Sequence, residues 1–174
     1  MFVLGLTGSI GMGKTTAAAM FRCHKVPVYD ADDGVHQLLG RGGAAVPAVG
    51  NLFPGAVRDD GIDREILGKI VFSDPQALGW LESILHPLVR KRQTAFLRVS
   101  AGQRRRLVVL DIPLLFETGA DSTCDAVAVV SAPFYLQSMR VLSRSGMTAE
   151  KFSSILARQM PDLEKRRRAD FVIP

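Results

Sequence analysis

Apolar and polar positions along this chain follow two different periods. Near-continuous apolar runs stand at residues 2–6 (FVLGL), 26–30 (VPVYD), 106–113 (RLVVLDIP), 125–131 (DAVAVVS) and 170–173 (DFVI). Each is short, rich in β-branched residues and bounded by turn-forming residues, and each predicts a strand. Helical periods fill 14–24 and the stretch after Asp30 through about Leu39. A strand that is apolar at almost every position is covered on both faces. The pattern therefore predicts an α/β fold with a five-stranded parallel sheet between helices.

Two segments depart from that alternation. Residues 40–57 are rich in Gly, Pro and Ala, and helix-like segments follow at about 63–72, 74–85 and 88–101. Asp74 before Pro75 predicts a helix start, and Pro87 after His86 predicts a first helical position. The expected organisation is a core of 1–34, 102–132 and 169–174, a helical insertion over 35–101 and a second helical excursion over 133–168, together forming one compact unit.

Composition narrows the class. The chain has 174 residues, 47% of them apolar and 22% charged, which suits a soluble domain with a real core. Cys23 and Cys124 show neither CxxC nor zinc spacing, so a reduced, cytoplasmic setting is expected. The first apolar run lacks a basic stretch before it and is too short and glycine-rich for a leader, and no run is long enough to span a bilayer. The net charge of +5 is clustered in QRRR at 103–106 and EKRRR at 164–168. No tyrosine or tryptophan lies inside either run, so the stacking signature of single-strand binders is missing and no nucleic-acid partner is expected. The triplets 104–106 and 166–168 read as solvated faces.

Candidate chemistry begins where the first strand ends. GSIGMGKTT at 8–16 carries Gly8, Gly13, Lys14 and Thr15 in the spacing GxxxxGK(S/T). Glycines let the backbone turn its N–H groups toward an anion, and the next helix adds its positive end. Lys14 can reach β and γ phosphates and the Thr15 hydroxyl can ligate Mg²⁺, a glycine-rich turn that binds nothing being the alternative. Gly11 and Gly13 also begin a GxGxxG, but Thr16 stands where its last glycine belongs, which disfavours a dinucleotide. Asp111 follows LVVL, and a carboxylate at that strand's carboxyl end can hold Mg²⁺ through water; a plain strand-end turn residue is the alternative.

Asp30 and Asp32 end the second strand at the same edge. Phosphoryl transfer to an alcohol needs a carboxylate to orient the hydroxyl and take its proton. Asp32 fits that role, while Asp32 or Asp33 fits equally as a helix cap. Arg140 and Arg144 share a helix face and Arg158 lies one helix later. Such arginines close over a triphosphate in a lid, or form a solvated face. His86 reads alone as a cap or packed residue, His36 is ambiguous and His24 reads as structural. No His/Cys/Asp cluster has zinc spacing.

A switch GTPase is excluded, because the only asparagine, Asn51, precedes Leu52 and no DxxG occurs. A small kinase remains. LTGSIGMGKTT at 6–16, DADDGVHQLL at 30–39, DGIDREILGKIVF at 60–72, LESILHPLVR at 81–90, DIPLLFE at 111–117, MRVLSRSGMT at 139–148 with RQM at 158–160, and ADFVI at 169–173 together resemble the dephospho-CoA kinase family over nearly the whole chain. The resemblance implies a phosphate-loop NTP hydrolase-type core with a helical acceptor domain and a helical lid. It implies transfer from ATP, with Mg²⁺, to the ribose 3′-hydroxyl of dephospho-CoA, the last step of coenzyme A synthesis. Carried over, Asp32, Lys14 and Arg140 are catalytic. Gly11, Met12, Gly13, Lys14, Thr15, Thr16, Arg140 and Arg144 hold ATP, and Thr15 with Asp111 through water holds the metal.

For the acceptor, the resemblance implies Thr7, Asp32, Arg64, His86, Pro113, Leu114, Leu115, Phe116 and Glu117. Leu114, Leu115 and Phe116 serve as an apolar wall or as core packing below the strand end. Members of that family continue past the last strand with a segment that helps hold adenine, and here Pro174 follows the strand directly. The partner expected is the small-molecule substrate, with a monomer as the expectation and an oligomer as the alternative. Rival readings are a kinase of a nucleoside monophosphate or sugar acid, and a basic ATP-binding adaptor for nucleic acid.

Overall fold

A computed structural model describes residues 1–174, with the backbone alone at Ser73. In chain order its elements are β1 (Phe2–Thr7), α1 (Lys14–Cys23), β2 (Val28–Asp30), α2 (Ala31–Leu39), α3 (Val46–Leu52), β3 (Val57–Arg58), β4 (Gly61–Ile62), α4 (Arg64–Ser73) and α5 (Pro75–Gly102). There follow β5 (Leu107–Asp111), β6 (Ala126–Val130), α6 (Phe134–Leu142), α7 (Ala149–Arg158), α8 (Asp162–Arg168) and β7 (Phe171–Ile173). The chain divides into two compact units, Met1–Asp30 with Ser100–Pro174, and Ala31–Val99. The second unit nearly coincides with the helical insertion expected over 35–101. The reason is that residues 31–99 close an apolar core of their own around Leu38, Val49, Leu67 and Leu81.

The first unit is built on a parallel sheet in the order β2-β5-β1-β6-β7. All five expected apolar runs supply a strand; β1 runs one residue past its run, to Thr7, and the other four are trimmed. Pro27 lacks an N–H and stays outside β2, but its carbonyl accepts from Val109 N at 2.9 Å. β6 is buried along its whole length and Val108, Val109 and Leu110 of β5 are fully buried, as two covered faces require. β1 lies at the centre, pairing Leu6 with Asp111 of β5 and Thr7 with Val129 of β6. Asp30 pairs with Asp111, so these strand ends share one edge. From β1 the chain turns to the β2 side of the sheet, and after β5 it crosses to β6. The loop after β1 therefore stands where the strand order reverses, the place where such sheets bind ligands.

The second unit departs from the sequence reading twice. Within the glycine-rich stretch and just beyond it, β3 and β4 form a two-residue hairpin. Asp59 and Asp60 take the turn with φ of 46° and 61°, a left-handed pair that aspartate tolerates better than bulkier residues. Then α4 opens as the sequence suggests, with Asp63 accepting from Glu65 N and Ile66 N.

The segments expected at 74–85 and 88–101 are one helix, α5, with Pro87 inside it. The proline removes one donor, at a propensity cost of about 3 kcal/mol. One apolar stripe overrides it: Ala77, Leu81, Ile84 and Leu85 before the proline and Leu88 and Val89 after it all pack on the same core cluster. His86 therefore lies in mid-helix, exposed, and not at a helix start.

Candidate active site

The loop from Gly8 to Gly13 joins the central strand to α1, and its glycines have separate reasons. Gly11 and Gly13 have φ of 78° and 102°, where L side chains are strained. A Cβ on Gly8 would lie 2.6 Å from the Val130 carbonyl oxygen, and one on Gly11 would lie 2.5 Å from Val141 Cγ2. The loop closes on itself through Met12 N to Ser9 O at 3.2 Å, and α1 starts with Thr16 N and Ala17 N donating to Gly13 O. No side chain caps α1, which leaves its first amides as the positive end of a ten-residue helix.

Lys14 is the first residue of α1, and its Nζ lies 2.5 Å from Asp111 Oδ1 at the end of β5. Asp111 is 2% exposed and Lys14 16%. Register brings them together, because Leu6 of the strand feeding the loop faces Asp111. Thr15 and Thr16 follow, both exposed. Thr7 is wholly buried and its hydroxyl donates to the Pro113 carbonyl at 3.0 Å.

From the other side α6 reaches the loop. Arg140 Nη1 lies 3.4 and 3.5 Å from the carbonyl oxygens of Gly11 and Met12. Arg144 falls past the end of α6 and is exposed, and Arg158 closes α7, also exposed. Two glutamines that the sequence reading passed over hold Ile10. Gln159 Oε1 accepts from its amide at 3.1 Å, and Gln137 Nε2 donates to its carbonyl at 2.8 Å. Only the RQM at 158–160 touched on one of them, and no local periodicity marks either.

The segment after β5 is divided. Leu115 and Phe116 are 0% and 7% exposed and pack with Val127 and Val129, whereas Leu114 is 40% exposed. Glu117 accepts from Lys165 Nζ at 2.9 Å and from Met160 N at 2.8 Å, while its Oε2 has no partner among the described residues. Burial, the largest influence, pushes the Glu117 carboxyl up. The Lys165 and Met160 bonds, with the Lys165 charge, outweigh it and hold the carboxyl below its ordinary value. Lys165 is wholly buried and also reaches the Pro113 carbonyl at 3.3 Å. It sits inside the basic run EKRRR, whose three arginines are exposed as read. Only the fold separates the lysine from its neighbours.

In the second unit, Asp32 and Asp33 occupy the first turn of α2, where negative charge favours the helix. Asp33 accepts from Gln37 Nε2 at 2.6 Å, and Arg92 donates to Gln37 Oε1. Arg64, the first residue of α4, places Nη1 2.8 Å from His36 Nδ1. That contact gives His36 a neighbour the sequence left open.

A glycine loop at the reversal point of a parallel sheet, with an uncapped helix end and a lysine resting on a strand-end carboxylate, defines a phosphate-loop nucleotide-binding protein. Residues 2–174 match the profile of the family described as CoaE, dephospho-CoA kinase, and the chain belongs to that family. The dephospho-CoA kinase of Paramagnetospirillum magneticum is 62% identical over 166 residues, 95% of this chain and 78% of that protein. The crystal structure of TT1252 from Thermus thermophilus is similar at a TM-score of 0.82 and 37% identity, over 98% of this chain and 86% of that one. A dephospho-CoA kinase from Campylobacter jejuni gives 0.72 and 27%, over 98% and 86%.

Proposed function

We propose that this chain transfers the γ-phosphoryl group of ATP to the ribose 3′-hydroxyl of dephospho-CoA, yielding coenzyme A and ADP. The observation that carries the reading is the Lys14–Asp111 pair beside an uncapped, glycine-built loop, in a chain of this family. The amides from Gly11 to Thr16 and the end of α1 hold the polyphosphate. Lys14 moves from Asp111 onto the β and γ phosphates, and Arg140, already at the loop carbonyls, neutralises charge on the transferring group. Arg144 and Arg158 join from the ends of α6 and α7.

The donor set suits Mg²⁺. No group of three or more His, Cys, Asp or Glu converges among the described residues, while a hydroxyl and a buried carboxylate, hard oxygen donors, stand beside the phosphate loop. Mg²⁺ bound with phosphates takes few protein ligands and keeps waters. Thr15 would hold it directly and Asp111 through water. When bound it would supply positive charge against that of the phosphates.

Asp32 orients the acceptor hydroxyl and takes its proton. Its place two residues beyond Asp30, in the acidic segment that the family resemblance carries over, supports this role. By the family resemblance Arg64, held by His36, and His86 take part in acceptor binding, and so do Pro113 and the exposed Leu114. Leu115 and Phe116 act there as backing for that segment, and Glu117 and Thr7 as its internal ties.

A coupled ADP assay tests the reading, with dephospho-CoA, AMP, gluconate and shikimate as acceptors. Turnover with dephospho-CoA alone is expected. Preference for another acceptor overturns it. Asp32→Ala is expected to lower kcat by on the order of 10²-fold or more while ATP still binds.

A further inference from the structure

An anion-binding loop must hold its shape while its amides point outward, so something other than its own hydrogen bonds has to fix it. Ile10, in the middle of the loop, has both backbone groups taken by side chains distant in the chain. Its N–H goes to Gln159 Oε1 at 3.1 Å and its carbonyl to Gln137 Nε2 at 2.8 Å. Gln137 is 3% exposed. The chemistry fixes which end of each carboxamide is used, since an N–H requires an acceptor and a carbonyl requires a donor. α6 presses on the next residue too, with Val141 and the Gln137 carbonyl against the Cβ direction of Gly11. Gln137 lies one turn before Arg140 on α6, and Gln159 directly follows Arg158. Each glutamine thus ties Ile10 to one of the two arginine-bearing segments.

We propose that Gln137 and Gln159 are positioning residues for nucleotide. By gripping Ile10 from both sides they set the direction of the loop amides at Gly11 to Lys14 and register Arg140 and Arg158 to that loop. The Ile10 amide, already engaged, serves as the anchor and not as a phosphate donor. The role rests on the kinase reading above and concerns its nucleotide side alone. It follows the general rule that a binding constellation is only as well placed as the shell that supports it.

The test uses Gln137→Met, Gln159→Met, the double variant, and Gln137→Glu with Gln159→Glu. ATP affinity is read by direct titration, acceptor KM by the coupled assay, and the Ile10 amide by hydrogen exchange in nucleotide-free protein. Each Met variant is expected to weaken ATP by about tenfold, with acceptor KM changed less than about twofold. The double variant should be little worse than either single one, because both groups hold one residue. Gln159→Met should expose the Ile10 amide to faster exchange. Gln159→Glu keeps an acceptor and should retain protection, whereas Gln137→Glu loses its donor and should behave as Gln137→Met.

ATP affinity within about twofold of the parent in both Met variants overturns the proposal, as do equal losses for ATP and acceptor. If the Met variants do not fold, equal ATP affinity in the two Glu variants overturns it, because only Gln137→Glu removes a bond to Ile10. Direct ATP titration does not depend on the acceptor, so failure of wild-type turnover with dephospho-CoA would strike the acceptor assignment and leave this comparison intact.

Discussion

The ammonium of Lys14 lies 2.5 Å from the carboxylate of Asp111, a group only 2% exposed. The pair joins the first turn of α1 to the end of β5 and presents a cation at the edge of the loop. Removing one side of a buried charge pair lowers stability, so the lysine has a structural effect as well as a chemical one.

Replacing it separates the two. Lys14→Met is expected to lower kcat/KM by on the order of 10²–10³-fold and to lower Tm as well. Adding Asp111→Asn should recover part of the Tm and none of the activity. Recovery of turnover in the double variant would show that Lys14 acts only through the fold. Thermal melts beside steady-state kinetics decide it.

Gly11→Ala should fail for two reasons at once. The backbone at φ 78° disfavours a side chain, and the new Cβ would meet Val141 Cγ2 at 2.5 Å. A loss of about 1–3 kcal/mol is expected from strain, together with weaker ATP binding. Gly42 also has positive φ, at 68°, but a Cβ there meets nothing within 4 Å, so Gly42→Ala should carry the backbone strain without the steric clash or the effect on ATP. Urea titrations of both variants make the comparison.

The Lys165–Glu117 pair predicts an acid limb. Because the folded carboxyl is held below its ordinary value of 4.5, its stabilising effect is complete above that value and is lost as pH falls through the folded one. Glu117→Gln should therefore be less stable than the parent at neutral pH, with the gap narrowing below about pH 4.5. A gap unchanged across that range would remove the carboxylate from the account. Lys165→Met, which leaves the carboxylate without its cation, should lower stability at neutral pH.

Adjacent leucines test the two readings of the segment after β5. Leu115, 0% exposed, should lose about 2–5 kcal/mol on truncation to alanine. Leu114, 40% exposed, should change stability by no more than about 0.5 kcal/mol and raise the acceptor KM. An unchanged KM for Leu114→Ala would confine the whole segment to packing.

Much of the fold was legible because its signals are local. Five apolar runs and the spacing GxxxxGK(S/T) each lie within a dozen residues, and the strand, loop and helix they specify need no distant partner to be read. Pro87 misled for the same reason: as a local signal it marks a helix start, and only the apolar stripe packed on both sides of it keeps α5 whole. The Asp59–Asp60 turn lacked the glycine that usually announces a two-residue hairpin.

Taken alone, the order of residues determined the class of fold, the phosphate loop and the acidic and basic groups available to it. Tertiary structure decided which of those groups are held and by what. It buried Lys165 within an exposed arginine run, set Lys14 on Asp111 across 97 positions, and brought Gln137 and Gln159 to Ile10 across 127 and 149. Those closures depend on the strand order β2-β5-β1-β6-β7 and on helices packing over it, and no period along the chain encodes a contact of that span.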